Sequence, residues 1–228
     1  MAAQDLILKD DFEGKIDGNI WWLKRVEQHS WEISEEQARN GKSSLKITLR
    51  TGDKPDIGRD NKPTERAEFS EKQDILVPLN SGIWYAFSFY FPTNFPIVDN
   101  RLLFAQWKQF YQEEKQSPFL SFRYINGQLQ FCIMGRKQLM KKYFWTKDPR
   151  GIWHDVLVNY QLNESLDGFV DVWINNEILA SYHGPLGFDY TQNLVYFKMG
   201  LYRDSIDISQ TIFLDRFRRG PTKNSCLE

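Results

Sequence analysis

Apolar and polar residues alternate with a period of two in short runs along most of the chain. Turn-forming pairs such as Asn126-Gly127, Asp167-Gly168 and Asn175-Asn176 separate the runs. Successive side chains of a strand point to opposite faces, so such runs predict strands buried on one side only. The predicted strands are 43–50, 66–70, 83–91, 102–108, 119–125, 128–134, 153–161, 169–174, 194–202 and 210–218. Helical periodicity is weak throughout, so the pattern predicts an all-β protein of two stacked sheets. Segment 136–145, with Arg136, Lys137, Lys141 and Lys142, reads as a basic loop or short helix. The stretch 51–64, rich in Gly, Asp, Lys and Pro, reads as a long exposed connection able to wall a cleft. No repeat or linker interrupts the pattern, and 228 residues suit one domain spanning 1–228.

Composition narrows the function. Aromatic residues make up 15% of the chain and include eight tryptophans, which suits a surface that stacks sugar rings, although β-sandwich cores also use them. A net charge of −1 gives no electrostatic case for nucleic acid or an acidic membrane surface. No apolar run approaches the ~20 residues that cross a bilayer. The N-terminus lacks the basic and apolar segments of an export signal, and Leu227-Glu228 has the form of a cloning remnant. Cys132 and Cys226 lie far apart, in an apolar strand and a polar tail, so no disulfide is expected between them. With no Cys-x-x-Cys and only His29, His154 and His183, spacing offers no zinc or redox site, and no organic cofactor is expected.

Three predicted strands carry chemistry. In Thr64-Glu65-Arg66-Ala67-Glu68-Phe69, Arg66 and Glu68 share a face, as a site or as a plain ion pair. In Leu103-Phe104-Ala105-Gln106-Trp107-Lys108, alternation sets Gln106 and Lys108 opposite a core face of Leu103, Ala105 and Trp107. A glutamine amide beside an ammonium can grip a sugar carboxylate. In Tyr196-Phe197-Lys198-Met199-Gly200-Leu201-Tyr202-Arg203, the residues Phe197, Met199 and Leu201 form an apolar face, and Lys198, Gly200 and Tyr202 form the other. A glycine inside a strand marks close approach by another group, read here as a ligand between Lys198 and Tyr202.

The order of an Arg-x-Glu strand, a Gln-x-basic strand and a Tyr-Phe-Lys-x-Gly-x-Tyr strand resembles the jelly-roll polysaccharide lyases of the glucuronan lyase and heparin lyase I group, with alginate-lyase-like motifs. Asp11-Phe12-Glu13, Gly41-Lys42-Ser43-Ser44-Leu45 and Phe213-Leu214-Asp215-Arg216-Phe217 are similar to that family's terminal strands. The resemblance implies a β-jelly-roll sandwich of two antiparallel sheets, a secreted or periplasmic monomer whose export signal is not visible, and an acidic polysaccharide as substrate. It implies an active cleft of Arg66, Gln106, Lys198 and Tyr202; with the reading of the residues, the expected catalytic set is Tyr202, Arg66, Gln106 and Lys108, and the expected substrate-binding residues are Lys198, Glu68, Arg203 and His29. It also implies a structural calcium ion at Asp11, Glu13, Gly41 and Asp215, all oxygen donors suited to a hard cation. Lys108 departs from the pattern, because alginate lyases have histidine there.

β-Elimination removes the C5 proton of a uronate and expels the C4 oxygen, which requires a neutralised C6 carboxylate. Arg66 and Gln106 suit that task. Lys108 or Lys198 would add positive charge, and cations beside Tyr202 would favour its ionised form. Tyr202 serves as base, acid or both, and Lys108 is the candidate when a second group is needed. His29 is the reserve base. His154 falls on an apolar face with Val156 and Val158 and reads as core, and His183 reads as exposed. Two other classes compete: a lectin-like carbohydrate-binding domain on the same sandwich, and a glycoside hydrolase, whose Glu-x-Asp-x-x-Glu carboxylate strand the sequence lacks.

Overall fold

The computed structural model describes residues 7–58, 61–72, 82–109, 117–135, 139–188 and 195–227. In chain order the strands are β1 (Leu8–Asp10), β2 (Trp21–Arg25), β3 (Trp31–Ser34), β4 (Ser44–Leu49), β5 (Asp56–Ile57), β6 (Pro63–Glu71), β7 (Ile83–Tyr90) and β8 (Leu102–Gln109). Next come β9 (Leu120–Ile125), β10 (Gln128–Met134), β11 (Leu139–Trp145), β12 (Trp153–Gln161), β13 (Phe169–Ile174), β14 (Glu177–His183), β15 (Val195–Asp204) and β16 (Gln210–Gly220). They form two antiparallel sheets. The first runs β14-β13-β12-β7-β16-β4-β3 with β1 on β16, and the second runs β11-β10-β9-β8-β15-β6-β2 with β5 on β6. This is the expected jelly-roll sandwich. Among the described residues no helix is long and apolar enough to cross a membrane.

All ten predicted strands form, because their alternation buries one face of each. In β12, for example, His154, Val156, Val158 and Tyr160 are buried while the residues between them are partly exposed. The inward faces meet in one buried cluster that includes Trp107, Phe87, Phe122, Phe197 and Tyr85. Trp107 packs edge-on to Tyr85 at 5.7 Å between centroids and lies 4.7 Å from Phe197. Truncating such a fully buried ring to alanine costs about 3–5 kcal/mol.

Two expectations need correction. Residues 139–145 are neither loop nor helix but the edge strand β11, antiparallel to β10; residues 136–138 lie outside the described set. Five of the seven side chains of β11 are exposed and only Tyr143 and Trp145 turn toward the core, too short an inward face to betray the strand in the sequence. The stretch 51–64 is not wholly a connection, since Asp56 and Ile57 pair with Thr64 and Pro63. Both cysteines are buried and free.

Candidate active site

Alternation along β6 sorts its charges. Glu65 and Glu71 share the inward face with Ala67 and Phe69, whereas Arg66, Glu68 and Ser70 face outward. Antiparallel pairing sets Lys198 of β15 between Ser70 and Gln106, and Tyr202 of β15 between Arg66 and Leu103. The outcome is a cleft on the outer face of the second sheet, lined by Arg66, Gln106, Lys108, Lys198 and Tyr202. Asp56, Ile57 and Gly58 wall it from the side. Four sites predicted as catalytic and one predicted as substrate-binding are thus brought together.

Tyr202 sits between two guanidinium groups. Arg66 lies 4.6 Å from the centre of its ring, and Arg101, just before β8, lies 5.2 Å away. Arg101 also hydrogen-bonds the Tyr202 side chain. Asp204, two residues after Tyr202, accepts two hydrogen bonds from Arg101 and so fixes it there. Arg66 donates to Asp56 of β5 at 3.1 Å.

Glu68 lies beneath these groups and is 2% exposed. One of its oxygens accepts a hydrogen bond from the Gln106 amide; the other lies 3.8 Å from Arg66 and 3.7 Å from Lys198 and has no hydrogen-bond partner. Glu68 therefore holds the amide and the lysine in position. Burial pushes the Lys198 amine down to about 7, with Lys108, Arg25 and Arg66 adding to the shift and Glu68 opposing it. Burial likewise pushes Lys108 down to about 8, with Arg25 and Arg66 acting in the same direction and Glu68 against it. Taking an ammonium out of water favours its neutral form.

Two bulges shape this floor. The β15–β8 register shifts between Met199 and Tyr202, and the β8–β9 register shifts between Leu103 and Ala105. A bulge inserts an extra residue and re-aims the side chains beside it. Leu103, expected in the core, consequently lines the cleft, and Phe104 takes the core position. Gly200 has φ of +126°, and a Cβ there would fall 2.2 Å from the Ala67 carbonyl oxygen and 3.1 Å from Ile47 Cδ1. The close approach that the glycine signals is that of β6 and the opposite sheet, which corrects the reading of space for a ligand.

Other expected site residues lie elsewhere. Arg203 is 0% exposed and faces inward, where it donates to Glu65 at 2.8 Å and to Gln210 at 2.9 Å. The alternation that turns Tyr202 outward turns its neighbour in. His29 is not among the cleft-lining residues; its imidazole meets Asp53 at 2.9 Å. His154 is buried between the Pro149 carbonyl and the Asn175 amide, and burial lowers its pKa. His183 is exposed on β14.

The residues expected to hold calcium are engaged by protein donors. Asp11 accepts from Arg218 at 2.6 Å, and Glu13 accepts from the backbone of Lys42 and Ser43 beside Gly41. Asp215 accepts backbone N–H groups of Arg39, Asn40 and Arg216. Burial pushes the Asp215 carboxyl up to about 6, with the backbone N–H groups of Arg39, Asn40 and Arg216 opposing the shift and Asp11 adding to it. The oxygen donors fit a hard cation in kind. Among the described residues no three His, Cys, Asp or Glu side chains converge on one point.

Sequence reading missed Arg101, Arg123 and Arg25, all of which line the cleft. Arg123 had a signal: it alternates with the buried Phe122 and Tyr124 of β9 and so must face outward. Arg101 lies outside the strand pattern and had none.

The comparisons with known proteins agree with this fold. No curated protein matches the chain. Among solved structures, an endo-beta-1,4-glucuronan lyase from the fungus Trichoderma reesei superposes with a TM-score of 0.72 at 16% identity, covering 96% of this chain and 97% of that one. A family 7 alginate lyase in complex with substrate superposes with a TM-score of 0.61 at 14% identity, covering 92% and 96%. The receptor-binding domain of botulinum neurotoxin type G matches with a TM-score of 0.57 at 11% identity, covering 94% of this chain and 47% of that one. Identities this low show a shared fold. The sequence itself matches the family model of polysaccharide lyases over residues 11–218, and the chain belongs to that family.

Proposed function

We propose that this polysaccharide lyase acts on a uronate-containing polymer by β-elimination, with the cleft on the second sheet as its active site. The observation that carries the reading is the outward-facing Tyr202, held between Arg66 and Arg101 in a cleft that also presents Gln106, Lys108 and Lys198. Arg66 and the second N–H of the Gln106 amide take the C6 carboxylate and stabilise the enolate-like charge that develops on it. Lys108 in its neutral form removes the C5 proton, the electron pair forms the C4–C5 double bond, and the C4–O bond breaks. Tyr202 gives its proton to the departing oxygen.

Among amines lining the cleft, Lys108 suits the base role: it is partly accessible and has no carboxylate within ion-pair distance among the described residues, whereas Lys198 is buried against Glu68. Arg101 is a positioning residue for Tyr202. Glucuronan is the proposed polymer, supported by the likeness to the glucuronan lyase over nearly the whole of both chains. A substrate too large to cross a membrane accords with a secreted or periplasmic enzyme.

The test is to incubate the protein with glucuronan, alginate, heparin and hyaluronan side by side and record the ultraviolet absorbance of the unsaturated uronate that elimination leaves. Glucuronan should give the fastest rise. Binding without absorbance on any polymer would make the protein a lectin-like member of its fold.

A further inference from the structure

The cations of the cleft are not equivalent. Arg66 is matched by Asp56 and Glu68, Lys198 by Glu68, and Arg101 by Asp204. Arg123, like Lys108 and Arg25, has no such partner among the described residues: its Nε donates to Ser121 Oγ at 3.2 Å, and no carboxylate of those residues lies within 4 Å of its guanidinium. Arg123 cannot shed its proton to escape the cost of being held there. Burial lowers its pKa, with Arg101 adding to the shift and Cys132 and Asp204 opposing it. A guanidinium kept charged and unmatched on the floor of a cleft is poised for an anion from outside.

Register fixes where that anion would sit. Tyr202 of β15 pairs with Leu103 of β8, and Leu103 pairs with Arg123 of β9. Arg123 is therefore two strands from Tyr202, about 10 Å across the sheet at a strand spacing of about 4.8 Å. Backbone positions that far apart meet different sugars of a polymer that runs across the strands, which gives Arg123 a neighbour of the uronate at Tyr202. The interval is filled by Leu103, which lines the cleft and is 2% exposed.

We propose that Arg123 forms a second anion subsite, which grips through its Nη1 and Nη2 the carboxylate of a uronate beyond the one being cleaved. The polymer then crosses the strands from β6 toward β9, and recognition needs charge on at least two sugars. This rests on the lyase reading and adds the course of the chain and the residue that reads it. A bidentate guanidinium–carboxylate pair supplies both charge and orientation.

The experiment compares wild type with Arg123→Gln and Arg123→Lys on glucuronan and on the shortest glucuronan oligosaccharide that is cleaved. It also measures equilibrium binding of the same ligands to Tyr202→Phe with and without Arg123→Gln. Arg123→Gln should raise KM for the polymer about tenfold, more than it lowers kcat, with Arg123→Lys intermediate. The penalty should shrink on the shortest oligosaccharide and vanish on polymer whose carboxylates are methyl-esterified. Matching melting temperatures would exclude a folding defect, and Arg123→Lys gives the test where Arg123→Gln does not fold. An unchanged KM, or an equal penalty at every chain length, would overturn the subsite. Wild type that releases no unsaturated product while polymer binding still depends on Arg123 would overturn the lyase reading and leave the subsite standing.

Discussion

Two glutamates on β6, three residues apart, face opposite sides of the same sheet and have opposite characters. Glu71 points inward and is completed: one oxygen accepts from the Tyr85 hydroxyl at 3.2 Å and from the Phe197 N–H at 2.8 Å, and the other accepts from Arg219 at 3.3 Å. Glu68 points outward and is incomplete, with one oxygen lacking any hydrogen bond and its cations 3.7–3.8 Å away. The interior network ties the two sheets together, since β6 and β16 belong to different sheets. The cleft cluster is left open toward whatever enters. A satisfied charge network holds a fold, whereas a partly satisfied one beside solvent has binding capacity to spare.

The largest expected effect lies on the open side. Tyr202→Phe removes one hydroxyl, which Arg101 and not the core engages, so kcat should fall by about 10²–10⁴-fold while the melting temperature stays level. Single-turnover absorbance and thermal melts check it. A variant that kept wild-type kcat would take Tyr202 out of proton transfer.

Next comes the matched pair Glu71→Gln and Glu68→Gln. Arg219 cannot shed its proton, so Glu71→Gln leaves a buried charge without its counter-charge and should cost about 3–5 kcal/mol. In a chain of this size that lowers the melting temperature by about 2–4 °C per kcal/mol. Lys198, already pushed down to about 7, can lose its proton, and Arg66 keeps Asp56, so Glu68→Gln should cost less stability than Glu71→Gln. Its loss should show in kcat. Equal destabilisation by the two substitutions would break the comparison.

A smaller effect is expected at Lys108. If its neutral form is the base, the rate should rise with pH through about 8, the value to which burial holds it. Lys108→Arg, always protonated, should lose about 10²-fold or more, and Lys108→His should keep activity with the acid limb moved toward neutral. A rate that instead fell through pH 8, with Lys108→Arg active, would make Lys108 a fixed positive charge.

The smallest effect concerns Asp215. Its carboxyl is raised to about 6 from an ordinary 3.8, so the folded state holds a proton that the unfolded state has released between those values. That contribution to stability is complete below about pH 4 and is lost as pH rises through 6. A calcium ion at Asp11, Glu13, Gly41 and Asp215 would favour the ionised carboxylate. Calcium should then raise the melting temperature above that in chelator by about 2–4 °C per kcal/mol of binding at pH 7, and not at pH 4. Identical melts at pH 7 would remove the ion.

The legible part of the molecule is the part that parity records. Counting in twos recovers β6, β8 and β15 and sorts Arg66, Gln106, Lys108, Lys198 and Tyr202 onto one face, because burying the other face leaves a trace in residue type. Parity also excludes Arg203, whose place beside Tyr202 in the motif does not make it a neighbour in space. It cannot register a bulge, which adds a residue without changing composition, and so Leu103 moved from core to cleft. Nor can it show that Arg101, a hundred residues before Tyr202, comes to lie against its ring, since that contact arises only when β8 and β15 pair. β11, mostly exposed, escaped because its inward face is only Tyr143 and Trp145.

That exposed strand has a consequence for how the protein behaves in company. Among the described residues β11 ends the second sheet, with no strand pairing on its other side, and Leu139-Met140-Lys141-Lys142-Tyr143-Phe144-Trp145 would be an adhesive ribbon but for its centre. Lys141 and Lys142, both exposed, put like charges where a second copy would have to lay its own strand. The pair acts as a gatekeeper against edge-to-edge aggregation.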